Sequence, residues 1–551
     1  MRPARVRAAD APHVSISVLV KALARSAVAN PLAIVLAGAL ALRIVALVVT
    51  LHPIGMDGAN FARTAENLHN GYGYIGIRGS VNSVHVSLFP VLVAATLWLG
   101  ASAANAAFAL SIIAGALLTV PVYLIARRLF GARAAVVAAA IVALHPLLVE
   151  ISTDPLADAL ALTLGLAGLA ALLRAADPRW AAGAGAFFGL AYCTRSEGIG
   201  YFAIAVVTLA VAAFARRARP RDAAVRLGAL TLSFLVFALP YIAAVSKATG
   251  HLRVDAKGAV NYAIASRIAR GMSYAEAADG LGPGGREEGA ELGDGFYATH
   301  PGIGDPSLGQ RAALMAHVAV PQLARLVRIF ASRPFGTPLF PLLAAIGCVV
   351  ALRRPQIRGW TLVLLAFVAF EVAALLTLDH LWQRYAAVFV PFFAILAALP
   401  LVDVYDRLCT ARMRVVRRIA TASLTAIAAF GALVLQQPQD ADADSALVPI
   451  VGVWLANEAP GPKLIADVGN QVAYYAQGDW IALPYASSAD AIAYLRRKRP
   501  TYVVIEAAAI SSRPYLREWF EHGIPAPEAV RVRAFDAGTP SALTVYAWRK
   551  P

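Results

Sequence analysis

Apolar runs of about 17 to 22 residues, each long enough to cross a hydrocarbon core of ~30 Å, recur along most of the chain between short polar stretches. They fall at 31–51, 104–126, 134–150, 155–173, 181–194, 198–215, 227–245, 335–352, 360–378, 385–402 and 419–436, which predicts about eleven transmembrane helices. Basic clusters punctuate them: the N-terminal thirty residues, Arg127/Arg128/Arg133, Arg174/Arg179, Arg216 to Arg226, Arg353/Arg354/Arg358 and Arg407 to Arg418. Basic residues collect on the cytoplasmic side, so an even number of crossings must separate neighbouring clusters. That parity decides the one ambiguous stretch. Residues 86–125 are apolar enough for two spans, but two would break the count. One full span at 104–126 is therefore expected, and VSLFPVLVAATLWLG (86–100) reads as an interfacial or half-inserted helix. The run from Pro31 to Leu51 is too long for a cleavable signal segment and reads as the first retained span.

Beyond residue 437 the pattern shortens. KLIAD (463–467) and TYVVIE (501–506) read as buried strands, 488–498 and 513–521 as helices, and VRVRAF with ALTVYAW as a closing hairpin. The expected architecture is a polytopic α-helical membrane part, 1–436, followed by a small soluble α/β domain, 437–551. ADADSA (441–446) lies in the connector between them.

Composition agrees with this division. Of 551 residues, 59% are apolar and 15% charged, against roughly a quarter charged in a soluble protein. An ordinary soluble enzyme, a disordered chain and a fibrous one are excluded. The formal charge of +16 follows from the clusters that orient the spans, so it does not point to nucleic acid. Cys193, Cys348 and Cys409 have no paired spacing, and neither a disulfide framework nor a cysteine metal site is expected.

The parity topology puts the N-terminus in the cytoplasm. It gathers most unusual polar residues on the outer face, in loops 52–103 and 246–334, the junction 150–155, the turn 193–198 and 379–384, with the C-terminal domain. Asp57 lies just beyond the first span, where a lone aspartate is also an ordinary turn or cap residue. Glu150, Asp154 and Asp158 follow at intervals of four in HPLLVEISTDPLAD (145–158); Asp154–Pro155 also fits a helix N-cap and first position. TRSEG (194–198) offers Arg195 and Glu197, which either pair with each other or face the same cavity. DHLWQRY (379–385) offers Arg384 and Tyr385, and Arg43 inside the first span needs a partner. A transfer reaction at the outer face lacks a nucleotide-sugar pool and needs a donor carried by the membrane. A polyprenyl-phosphate sugar is such a donor: its phosphate leaves readily, so one carboxylate to take a proton and a few cations suffice.

The order of these features resembles a known family. An early outer-loop aspartate, GYGY, an aromatic-proline half helix, ARRLFG (126–131), HP…STDPLAD, TRSEG, and RY before a proline-bearing helix are similar to the lipid-linked-sugar transferases of GT-C fold. Glycosyltransferase family 39, with its protein mannosyltransferases and lipid A aminoarabinose transferases, is the nearest grouping. The resemblance spans residues 31–402. It implies an inverting transfer at the outer face of the cytoplasmic (inner) membrane, from a polyprenyl-phosphate sugar to a lipid, protein or glycan acceptor. It implies Asp57 as general base and Asp154 as a second acidic residue, with Glu150, Asp158 and Glu197 supporting. Candidates for the donor phosphate are His85, Arg195, Lys257, Arg384 and Tyr385. Asp57 and Asp154 would hold a divalent cation (Mg, Mn or Zn) if one is required. Gly58 stands where members commonly carry a second acidic residue, and His85 and Arg78 stand near a position often held by lysine. Two alternatives remain: a ligase or polymerase using a diphosphate-linked glycan, and a transporter or lipid flippase.

Overall fold

The computed structural model describes residues 30–50, 52–84, 86–215, 217, 219–255, 257–289, 306–378, 381–410, 446–458, 461–536 and 538–549. The expected span at 419–436, the N-terminal basic cluster, the 441–445 part of the connector and His85 lie outside the described residues. The membrane part opens with α1 (Pro31–Thr50), followed on the loop side by α2 (Met56–His69) and the short α3 (Leu88–Leu97), capped by Ser87. At ten residues, α3 is too short to cross, as the half-helix reading requires. Then come α4 (Ala103–Leu117) and α5 (Thr119–Phe130), which together form one span of 28 residues. Gly131, at φ 91°, allows the reversal into α6 (Ala132–Leu144).

The chain then breaks. Pro146 has no N–H to continue the ladder, so α6 stops and α7 (Pro146–Thr153) restarts at an angle of 54° with proline at its first position. The carbonyl of Ala143, at the broken end, accepts a hydrogen bond of 3.1 Å from Nη1 of Arg43, which is fully buried. The buried arginine thus has a local reason: it supplies positive charge and a donor where a helix C-terminus lacks them.

Next are α8 (Asp158–Leu172), α9 (Pro178–Thr194), α10 (Gly198–Ala215) and α11 (Pro220–Thr249). The long segment after α11 carries α12 (Gly258–Ile268), α13 (Tyr274–Asp279) and α14 (Leu308–Phe330). The bundle closes with α15 (Leu339–Leu352), α16 (Pro355–Leu376), a 3-10 helix (Gln383–Phe389) and α17 (Val390–Thr410). Its core is built from alanine, leucine and phenylalanine on α5 to α11 and α15 to α17.

Of the eleven expected spans, the one at 419–436 lies outside the described residues. Among the described residues seven helices are long and apolar enough to cross, or eight if the broken pair α6–α7 counts as one. Helices α8 and α15, expected as full spans, have 15 and 14 residues and rise only about 22 Å. In turn α14, placed by sequence within the outer loop 246–334, has 23 residues and passes the length and hydropathy test. Its arginines and its Pro321 hide an apolar content that parity counting assigns elsewhere.

The C-terminal unit begins with α18 (Leu447–Glu458) and holds β1 (Leu464–Asp467), α19 (Gln471–Tyr475), β2 (Asp479–Ala482), α20 (Ser488–Lys498), β3 (Tyr502–Glu506), α21 (Leu516–His522), β4 (Ala529–Phe535) and β5 (Leu543–Trp548). The strand order is β2-β1-β3-β5-β4, with β1 parallel to β2 and β3 and an antiparallel β4–β5 hairpin. The unit sits against the loop that follows α1. Its core includes Ile54, Ala59, Ala62 and Ile77 from around α2, and the Ile54 N–H donates to Tyr475 Oη at 3.2 Å.

Candidate active site

Helix α2 carries Asp57 in its first turn, where the helix dipole favours a negative charge. Two contacts fix where that turn lies. A side chain on Gly58 would meet Pro155 and Ile54 at 2.8 Å, so only glycine lets α2 lie against the 154–155 loop. That packing explains why no second acidic residue follows Asp57. Gly55, the N-cap, lies against the Asp154 carboxylate: a Cβ there would be 3.2 Å from both oxygens. From the other side, Asn470 Nδ2 donates to the Met56 carbonyl at 2.9 Å, so the C-terminal unit holds the residue before Asp57.

Asp57 Oδ2 accepts a 2.8 Å ion-paired hydrogen bond from Arg384 Nη2. Arg384 belongs to the 3-10 helix and lies beside the Tyr385 ring. Asp154 occupies the extended residue that ends α7, and α8 starts only at Asp158. The N-cap reading of Asp154 with Pro155 is therefore wrong: the proline lies in the loop, outside the helix. Asp154 Oδ1 is buried with no hydrogen-bond partner. Burial first, then repulsion from Asp57 and Asp158, outweighs the attraction of His52 and Arg384 and pushes its carboxyl up to about 6. Glu150, one helical turn earlier, is exposed and within electrostatic reach of Arg384 and Asp154.

The turn between α9 and α10 adds a second cluster. Arg195 pairs with Asp158 at 2.6 Å and with Glu197 at 2.8 Å. Burial raises the Glu197 carboxyl, but Arg195 overcompensates and holds it below its ordinary value. The two readings of TRSEG are thus both met: the pair forms, and it also lines a cavity. That cavity is bordered by Asp158, Arg195, Glu197, Arg384 and Tyr385. Lys257, exposed before α12, acts electrostatically on Glu197.

Residues from five separate stretches of sequence are brought to one place. Of the candidates, only His85 lies outside the described residues. Sequence reading missed Glu371 of α16, which lines the same cavity, is 3% exposed and accepts a hydrogen bond from the Tyr201 hydroxyl. A lone carboxylate in a 22-residue apolar helix was the available sign. Asp57 is already neutralised by Arg384, and no group of three or more His, Cys, Asp or Glu among the described residues is placed to hold a metal.

Residues 85–242 match the family model for dolichyl-phosphate-mannose-protein mannosyltransferase. No curated protein sequence matches the chain. An oligosaccharyltransferase from Archaeoglobus fulgidus, in complex with Zn and sulfate, is similar in structure with a TM-score of 0.58. The two are 16% identical over 94% of this chain and 73% of the other. ArnT from Cupriavidus metallidurans, bound to undecaprenyl phosphate, gives a TM-score of 0.56 at 14% identity, over 92% of this chain and 97% of its own. The chain has the GT-C fold. A second structure of the Archaeoglobus enzyme, AglB, in complex with an inhibitory peptide and a dolichol-phosphate, gives a TM-score of 0.50 at 16% identity over 93% and 74%. The GT-C resemblance drawn from the motifs holds for the fold. The 85–242 match takes in the half helix, the broken span and both acidic junctions, so it falls on the part of the GT-C bundle that carries most of the cluster.

Proposed function

We propose that this protein is a membrane glycosyltransferase. It moves a sugar, hexose or pentose, from a polyprenyl-phosphate carrier to an acceptor hydroxyl or amine on a lipid, protein or glycan, with inversion at the anomeric carbon. The observation that carries the reading is the meeting of Asp57, Asp154 and Arg384 at one end of the bundle, from positions about 100 and 330 residues apart in sequence. The partial match to a mannosyltransferase family model, and structural neighbours that bind undecaprenyl phosphate or dolichol-phosphate, support it.

In this reading Asp57 takes the proton of the acceptor. The acceptor atom bonds to the anomeric carbon from the face opposite the phosphate. The bond from that carbon to the phosphate oxygen breaks, and its electron pair leaves with the phosphate. Arg384 spans both events: Nη2 holds Asp57 and the same guanidinium lines the cavity. A donor phosphate arriving there competes for Arg384 and frees an Asp57 lone pair for the incoming proton. Arg195 is a weaker phosphate candidate, because two carboxylates already flank it. His85, Lys257 and Tyr385 remain assigned to the donor head. A divalent cation, as in the Zn complex of the Archaeoglobus enzyme, would fall to Asp57 and Asp154; each step above is carried by the chain's own residues. The proposal places the protein in the cytoplasmic membrane, N-terminus inside, with 1–436 as the membrane domain and 437–551 as an outer domain.

The test is Asp57→Asn in the full chain, reconstituted with polyprenyl-phosphate-linked sugars. Transfer is expected to fall by about 10²- to 10⁴-fold with the melting temperature nearly unchanged. A folded variant that transfers at the normal rate overturns the assignment.

A further inference from the structure

The transfer just described does not use Glu371. It lies in α16, five residues before the helix ends, and burying a carboxylate in a span costs up to roughly 3 kcal/mol unless it meets water or a ligand. The Tyr201 hydroxyl donates to Oε1, and no described residue hydrogen-bonds Oε2. Both side chains line the cavity that Arg384 also lines. Electrostatically Glu371 answers to Glu197 and Arg195, whereas Arg384 answers to Asp57 and Asp158. Glu371 is bonded to Tyr201 of α10 and Arg384 to Asp57 of α2, so the two approach one cavity from different elements.

The chemistry of the Glu371 side is unfavourable for phosphate. Arg195 is flanked by Asp158 and Glu197, and Glu371 adds a further acidic group. Carboxyl oxygens with a tyrosine hydroxyl, against a wall that includes Leu162, Leu375 and Val388, suit a ring that is neutral or cationic, carries hydrogen-bond donors and has apolar faces. We propose that this side of the cavity receives the sugar ring of the lipid donor, and that Glu371 accepts a hydrogen bond from one of its hydroxyl or ammonium groups and so selects the sugar. This rests on the transferase reading: the phosphate stays at Arg384 and the anomeric carbon lies between the two.

Full-length protein in nanodiscs is titrated with undecaprenyl phosphate alone and with undecaprenyl-phosphate-linked glucose, mannose and 4-amino-arabinose. The wild type is expected to bind undecaprenyl phosphate, and one of the linked sugars more tightly. Glu371→Gln is expected to lose about tenfold or more in affinity for that linked sugar, while undecaprenyl phosphate binds within about twofold of the wild type. Tyr201→Phe, which leaves the carboxyl in place, is expected to shift the same preference by a smaller factor, and it serves alone if the glutamine variant does not fold. Preference for the amino sugar assigns the contact to an ammonium group; preference for glucose or mannose assigns it to a hydroxyl. Equal losses for carrier and linked sugar, no loss in either variant, or a wild type that binds the carrier without preferring any sugar overturns the inference and leaves the transferase reading standing. A wild type that binds none of the four overturns both.

Discussion

Asp154 carries an unrelieved charge. Its carboxylate is packed against the Gly55 backbone, and one oxygen is buried with no partner. The folded protein raises its pKa to about 6 from an ordinary 3.8, mainly by burial. The folded state therefore binds the Asp154 proton more tightly than the unfolded chain does. This stabilises the fold fully below about pH 4, and the stabilisation is lost as pH rises through about 6. Asp154→Asn is expected to melt higher than the wild type near neutral pH, by on the order of 2 kcal/mol, with the difference vanishing near pH 4. Its transfer rate is nonetheless expected to fall. Melting curves and rates across that range check both, and a variant less stable at neutral pH refutes the account. At this scale the sequence was informative about which polar residues meet in the fold. Their place at the ends of apolar runs singled out Asp57, Asp154, Asp158, Arg195, Glu197 and Arg384, but it could not say that Arg384 would pair with Asp57, because that depends on residues 327 positions apart. Glu371 was hidden by treating 360–378 as one more greasy span.

Among the elements, the seating of α2 matters most to the pocket, and Gly58 controls it. Gly58→Ala puts a methyl group 2.8 Å from Pro155 and Ile54, both hemmed in by neighbouring packing. The expected cost is about 1 to 3 kcal/mol, with a marked loss of transfer as Asp57 shifts. Gly38→Ala in α1, with nothing within 4 Å, is the control and is expected to change neither. Thermal stability and rate measured together separate the two positions. Elements with strong local patterns were legible: α3, the α4–α5 span, β1, β3, α20 and the β4–β5 hairpin fall where periodicity puts them. Those set by tertiary context were not. Four residues, Asp479–Ala482, form β2 because Leu464–Asp467 offers a parallel edge, and nothing local announces it. Helix α8 starts late because the 154–157 loop is shaped by α2, which no window on 155–173 can see.

For the molecule as a whole, the C-terminal unit is held from two sides. The loop after α1 supplies Ile54, Ala59 and Ile77 to its core. The segment after α11 adds Asp279, whose carboxylate pairs with Arg513 at 2.5 Å, and Glu287, which pairs with Lys498 at 3.0 Å. Burial raises the Asp279 carboxyl, and Arg513 opposes that shift. Arg513→Met leaves the half-buried Asp279 carboxylate with only the influence of Arg78, so the joint is expected to weaken by about 1 to 3 kcal/mol. Faster hydrogen exchange in 274–289, with α20 and β3 still protected, is the readout; uniform protection would show the pair to be dispensable. The loop over the membrane and the sheet that covers it lie far apart along the chain, Ile54 meeting Tyr475 at a separation of 421 residues. At synthesis rates of about 5 to 20 residues per second, roughly 20 to 80 seconds pass between the emergence of the one and the arrival of the other. Until then Asp57 has a helix but no roof, so on the proposed reading the nascent chain is kept idle by the order in which its parts are made.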